Sequence, residues 1–143
     1  MKRAIIPTIV LTGLSVSTFV AGDYVGLSSE LMQFDSQPGD LYTIRLYAEF
    51  TDASDQLNAV FGDTQSDLFI RSTNGFYQNP FGGPTSQNIN PAFFPLFPSL
   101  EYDSWVTIGS EDIIGNEMID IGIDWAAFES GGDIETDNGS WFA

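Results

Sequence analysis

Between positions 42 and 50 the chain alternates apolar and polar side chains with a period of two. Tyr42, Ile44, Leu46, Ala48 and Phe50 share one face, and Arg45 and Glu49 lie on the other. A strand turns successive side chains to opposite faces, so this stretch predicts a half-buried strand. Shorter runs at Leu57–Phe61 and Leu68–Arg71 follow after polar loops, and the three together predict a meander. Trp105–Ile108 predicts a further strand. Met118–Trp125 predicts another, with Ile119, Ile121, Ile123 and Trp125 on one face opposite Asp120 and Asp124. Near the C-terminus Asp133–Asp137 alternates, Asn138-Gly139 is a type I′ turn signal, and Ser140–Ala143 opens a return strand, the pattern of a hairpin. No segment of comparable length repeats every 3.6 residues, so helix is confined to a turn or two near Ala126–Glu129. The class expected is all-β, an antiparallel β-sandwich or jelly roll. The chain stops a few residues into its last strand, which predicts truncation of a longer parent at the C-terminus.

Residues 72–104 break the alternation. Positions 72–100 carry no charge, and five of the seven prolines fall there, at 80, 84, 91, 95 and 98. Phe76, Tyr77, Phe81, Phe93, Phe94 and Phe97 lie in the same stretch. Long irregular connections in small domains are usually functional or disordered, and this aromatic content argues against disorder. Two roles remain open: a lid over a sheet edge or sandwich end, or an apolar recognition loop.

The N-terminus adds a location. Lys2 and Arg3 precede an uncharged stretch from Ala4 to Val20, and Val20-Ala21-Gly22 supplies small residues ahead of Asp23. This is the pattern of a secretory signal peptide over residues 1–22, leaving an acidic domain over 23–143. The stretch is short and diluted by Pro7, Gly13 and several hydroxyl residues, so it suits a leader better than a membrane span. No second apolar run follows it, and the expected location is secreted or at the cell surface.

Charge then narrows the partners. The chain carries 20 acidic against 4 basic side chains, a net −16, and no histidine. Loss of Lys2 and Arg3 with a leader would leave Arg45 and Arg71 as the remaining cations. Such a field repels phosphate backbones and anionic lipid, which sets nucleic acid aside as a partner. It also opposes compaction unless cations screen it, so the chain suits a salty or calcium-rich medium. Cysteine is absent, leaving the core, or the core with bound ions, to hold the fold.

The residue types exclude most chemistry. Without cysteine or histidine, and with lysine only at position 2, no ordinary base stands beside a serine or threonine, and transition metals lack imidazole and thiolate ligands. Gly82-Gly83 lies between prolines and lacks the lysine of a phosphate-binding loop. Carboxylates remain. Glu101 and Asp103 would project from one face of an extended segment and are the candidate pair for glycoside hydrolysis, the least favoured reading. Calcium takes six to eight oxygen ligands, which acidic loops supply. If the meander runs up, down and up, loops 35–40 and 63–67 meet at one end. Asp35, Asp40, Asp63 and Asp67 are therefore the candidate calcium ligands. Asp133, Glu135 and Asp137 form a weaker set, lacking the glycine of a calcium loop.

The segment Tyr102-Asp-Ser-Trp-Val-Thr-Ile-Gly109 resembles a motif in a group of uncharacterised secreted proteins, mainly of marine bacteria and some protists. The resemblance extends to Tyr42–Phe50, Leu57–Gly62, Gly75–Gly83, Ile89–Pro91 and Glu129–Asp133. It implies secretion, often with attachment to a larger surface module, and supplies no activity. The function expected is a non-catalytic structural or adhesive domain, with calcium as a candidate stabiliser. The alternative is a carbohydrate-binding module in which Tyr77, Phe81, Tyr102 and Trp105 meet the sugar. Extracellular glycans or surface proteins are the expected partners, and the oligomeric state is left open.

Overall fold

A computed structural model describes residues 10–12, 23–32 and 42–143 of the chain. Most of the expected leader, together with Asp35 and Asp40, lies outside the described residues. Eight strands and one short helix occur among them: β1 (Val10–Thr12), β2 (Tyr24–Met32), β3 (Thr43–Phe50), β4 (Ala59–Gly62), β5 (Leu68–Arg71), β6 (Ile119–Ile121), α1 (Trp125–Glu129), β7 (Ile134–Thr136) and β8 (Gly139–Phe142). The protein is all-β, as its alternation predicts. Every ladder is antiparallel, and the strands form three small sheets in the orders β1-β5-β7, β2-β3 and β4-β8-β6.

Two three-stranded sheets share one core. Leu68 and Ile134, each about 1% exposed, come from β5 and β7, and Trp141, 3% exposed, comes from β8. Met118 and Phe128 complete the buried cluster, with Val60, Ile70, Ile123 and Trp125 packed against it. The Trp125 and Trp141 rings meet at 6.3 Å and 49°. The Trp125 indole N–H donates to Asp120 Oδ1 at 2.7 Å, whereas that of Trp141 finds no acceptor among the described residues. Burial of the large Trp141 ring outweighs that one open donor.

The strand partners differ from the meander. β3, β4 and β5 are consecutive but lie in three different sheets: β3 pairs with β2, β4 with β8, and β5 with β1 and β7. β4 and β5 are joined by a tight turn in which Asp63 and Ser66 exchange both backbone hydrogen bonds, at 3.0 and 3.1 Å. The C-terminal hairpin is also corrected. β7 and β8 do not pair with each other, because the chain changes sheets at Asp137-Asn138. Trp105–Ile108 is reduced to one parallel bridge between Val106 and Thr85.

The run from Met118 to Trp125 is broken by Gly122, whose φ of +71° ends β6 and turns the chain into α1. Asp124 caps that helix by accepting the Ala127 N–H at 3.1 Å. Helix thus occurs where the pattern left room for a turn or two. The side chains of Ile119 and Ile121 face outward, 59% and 66% exposed, while the neighbouring Ile123 and Trp125 pack on the core. No helix among the described residues is long and apolar enough to cross a membrane.

Two changes test this frame in urea unfolding. Leu68→Ala leaves a cavity in a full core and is expected to cost about 2–5 kcal/mol. Gly122→Ala is expected to cost roughly 1–2 kcal/mol or more, since alanine strains at positive φ and its Cβ would meet the Asn138 carbonyl.

Candidate functional site

The proline- and phenylalanine-rich segment 72–104 is pinned at both ends and through its middle. Gly75 turns the chain at φ +75°, the Phe76 N–H donates to the Gly131 carbonyl at 3.1 Å, and the Phe76 ring packs on Phe128 at 5.2 Å. Three single turns of 3-10 helix follow, at Ser86–Asn88, Pro91–Phe93 and Pro98–Tyr102. Proline opens the second and third, where its missing N–H costs nothing and its fixed φ suits the turn. Asn90 caps the second by accepting the Ala92 N–H at 3.0 Å. Ser86 is fully buried: its hydroxyl donates to Thr107 Oγ1 and accepts from Asn116 Nδ2, each at 2.7 Å. Ile89 and Leu100, 3% and 0% exposed, plug the interior beneath these turns.

Asp103 ties the segment together. Its Oδ1 accepts the backbone N–H groups of Asn79 at 2.7 Å and Ser104 at 3.1 Å, and its Oδ2 accepts that of Gly83 at 3.0 Å. Gly82 packs so closely that a Cβ there would collide with Asp103 Oδ2. Burial pushes the Asp103 carboxyl above its ordinary range and outweighs the three donors, which favour the charged form. Glu129 is also pushed up, first by burial and then by the charge of Asp103.

Above this knot the segment presents phenylalanine to solvent. Phe81 stacks on Phe97 with centroids 3.9 Å apart and planes 23° apart, and Phe93 meets Phe97 edge-on at 6.4 Å. Phe81, Phe93 and Leu96 are 49%, 42% and 74% exposed, forming an apolar ledge. The Asn79 amide sits below it, donating to Ser99 Oγ at 2.9 Å while its Oδ1 accepts the Phe81 N–H at 3.0 Å.

The residues singled out from the sequence scatter around this ledge. Phe81 is on it. Tyr77 is half-buried, with its hydroxyl accepting from the Asn79 amide at 3.4 Å, and Trp105 is half-buried. Tyr102 is 4% exposed within the third 3-10 turn, so its ring offers no stacking surface. Glu101 and Asp103 do not share an extended face. The chain is helical through Tyr102, Glu101 is exposed, and the carboxylate of Asp103 is committed to backbone. Phe93, Phe97 and Asn79 are the parts the sequence did not single out as binding residues. The excess of phenylalanine over tyrosine was their signal.

At the turn between β4 and β5, Asp63 Oδ1 accepts the N–H groups of Gln65 and Ser66 at 2.8 and 2.9 Å, and Asp67 is exposed. The convergence of loops 35–40 and 63–67 rested on the meander and loses that support. Among the described residues, no three acidic side chains gather into a group able to hold a metal. No family model, curated protein or solved structure matches the chain.

Because Asp103 and Glu129 both bind their protons more tightly in the fold than in the unfolded chain, the stability they contribute is present below the ordinary carboxylate range. It is lost as pH rises through their raised values. The melting temperature is therefore expected to rise as pH falls from neutral toward the ordinary carboxylate range, about pH 4, and less steeply in Asp103→Asn. At neutral pH that variant sets a second donor against backbone N–H groups and is expected to lose about 1–3 kcal/mol in urea unfolding.

Proposed function

We propose that the chain is a non-catalytic, exported β-domain that adheres to apolar patches on other surfaces through the Phe81–Phe93–Phe97 ledge. The observation that carries the reading is the buried carboxylate beneath it. Asp103 spends both oxygens on the backbone of residues 79, 83 and 104, which fixes the loop bearing Phe81 before any partner arrives. Rigid aromatic side chains lose little conformational entropy on contact, and a pre-organised loop has little left to lose. The residue content supports the same reading from the other side, since it supplies carboxylates but neither imidazole nor thiol. Resemblance to a group of secreted proteins agrees with export.

Calcium enters as a stabiliser of the acidic surface rather than as a reactant. With 20 acids against 4 basic groups, a divalent cation relieves more repulsion than a monovalent one at equal concentration. The melting temperature is expected to rise by several degrees in calcium and to fall back in chelator. Identical melting under both conditions removes calcium from the proposal.

Adhesion is tested by adsorption of the full chain to alkyl-coated and polysaccharide-coated sensors. Phe81→Ser with Phe93→Ser is expected to weaken retention on the alkyl surface at least about tenfold. Circular dichroism should be unchanged, because both rings are already solvent-exposed. Undiminished retention by the double variant would remove the ledge from the reading. Selective retention on polysaccharide would favour the carbohydrate-binding alternative.

A further inference from the structure

A second, separate pair of surfaces is apolar and open. In the β4-β8-β6 sheet, register places Ala59, Phe142 and Ile119 in one row and Phe61, Ser140 and Ile121 in another. The row between them, Val60, Trp141 and Asp120, holds the core-facing Trp141, so these two rows form the outer face. That face carries no charge, in a chain of net −16. Ile119, Ile121 and Phe142 on it are 59%, 66% and 37% exposed.

The β2-β3 ribbon carries the other surface. Its register puts Leu27 opposite Ala48, Ser29 opposite Leu46 and Leu31 opposite Ile44 on one face, which is again free of charge. Leu27, Leu31 and Leu46 are 40%, 53% and 37% exposed. The opposite face holds Glu30, Arg45 and Glu49, and there Arg45 binds Glu111 at 2.8 Å. One ion pair thus joins the charged face to the rest of the described chain, and the apolar face keeps its leucines open.

Among the described residues β2 and β3 pair only with each other, and a lone two-stranded ribbon is marginal in water. Thr51 and Asp23 close the ribbon's base through two hydrogen bonds of 3.1 Å, Asp52 and Asp55 form a turn, and Asn58 already pairs with Ala143. Both neutral faces of one chain are thus left open, and each suits the other.

We propose that two copies of this chain pair by reciprocal exchange, the apolar face of each β2-β3 ribbon covering the outer β4-β8-β6 face of its partner. Neutrality favours a neutral occupant, and a second copy carries one. Any acidic surface brought against either face would bury unpaired charge, whereas the second copy supplies a neutral pleated face of matching kind. A ribbon two strands wide and eight residues long measures roughly 10 by 27 Å, enough to cross a three-stranded sheet about 14 Å wide. Reciprocity gives the contact twice per dimer and closes it with two-fold symmetry. The rest of each surface is acidic, so the copies repel at low salt and associate as salt screens them. The pairing uses none of the phenylalanine ledge and does not rest on the adhesive reading.

Analytical ultracentrifugation of the full chain across a range of sodium chloride concentrations tests this. The expected result is a monomer–dimer equilibrium that tightens with salt. Ile121→Lys on the outer sheet face and Leu46→Glu on the ribbon should each weaken dimerisation at least about tenfold by burying an unpaired charge. Phe81→Ser with Phe93→Ser should leave it unchanged. Mixing the Ile121→Lys and Leu46→Glu chains is the decisive arm. The mixed dimer keeps one wild-type contact and pairs lysine with glutamate in the other, so dimer should return. A monomer at every salt concentration, a dimer indifferent to both substitutions, or a failure of the mixture to recover would overturn the proposal.

Discussion

The rest of the structure depends on one small apolar cluster around Trp141. Leu68 and Ile134 reach it from one sheet, Met118 arrives ahead of β6, and Phe128 comes from the single helix. With no cysteine in the chain, this packing must oppose the repulsion among 20 carboxylates. Apolar burial is short-range and insensitive to direction, so it draws two separate sheets together. Screened charge acts mainly at the surface, where most of the described acids lie. The outer face of the β5-β7 pair shows the local remedy: Arg71 sits 4.4 Å over the Phe69 ring and binds Glu135 at 2.9 Å.

The acids of this chain serve the backbone more visibly than they serve chemistry. Asp103, Asp124 and Asp63 each accept main-chain N–H groups, holding respectively the long segment, the helix start and the β4–β5 turn. A carboxylate used in this way fixes a loop that has no ladder of its own. In the long segment the result is a stretch without regular strands that still presents three phenylalanines in a fixed relation. The absence of charge over positions 72–100 lets those rings lie together at the surface without stranding an ion beside them.

Apolar exposure is the other distinguishing property. The ledge, the outer β4-β8-β6 face and the β2-β3 ribbon are three such patches among the described residues, in a chain with 20 acidic against 4 basic side chains. Monomeric soluble proteins seldom carry contiguous open apolar surface of this kind, and its usual meaning is association. The negative field counteracts that tendency at low ionic strength and yields in salt. In the proposed pairing, repulsion and contact-making therefore exchange dominance with the ionic medium.

How much of this was legible along the chain depended on the range of the forces involved. Alternation identified β3 and β5 and the all-β class, and the capped turn at Asp124 lay beside the place left for helix. β2 escaped notice because Ser29 interrupts its apolar face between Leu27 and Leu31, while Met32 puts an apolar residue on the other. Gly122 hid the break that sends Ile119 and Ile121 outward and Ile123 inward. The neutral, aromatic character of residues 72–100 was plain, yet nothing local told Phe81 from Tyr102, one open and the other enclosed. The sequence by itself determined strand periodicity, the acidic field and the absence of thiol and imidazole chemistry, since these reside in single residues and their neighbours. Strand partners, the burial of Asp103 and the stacking of Phe81 on Phe97 were decided only by tertiary structure. Each is a contact between residues distant in the chain, set by which surfaces the shared core could cover.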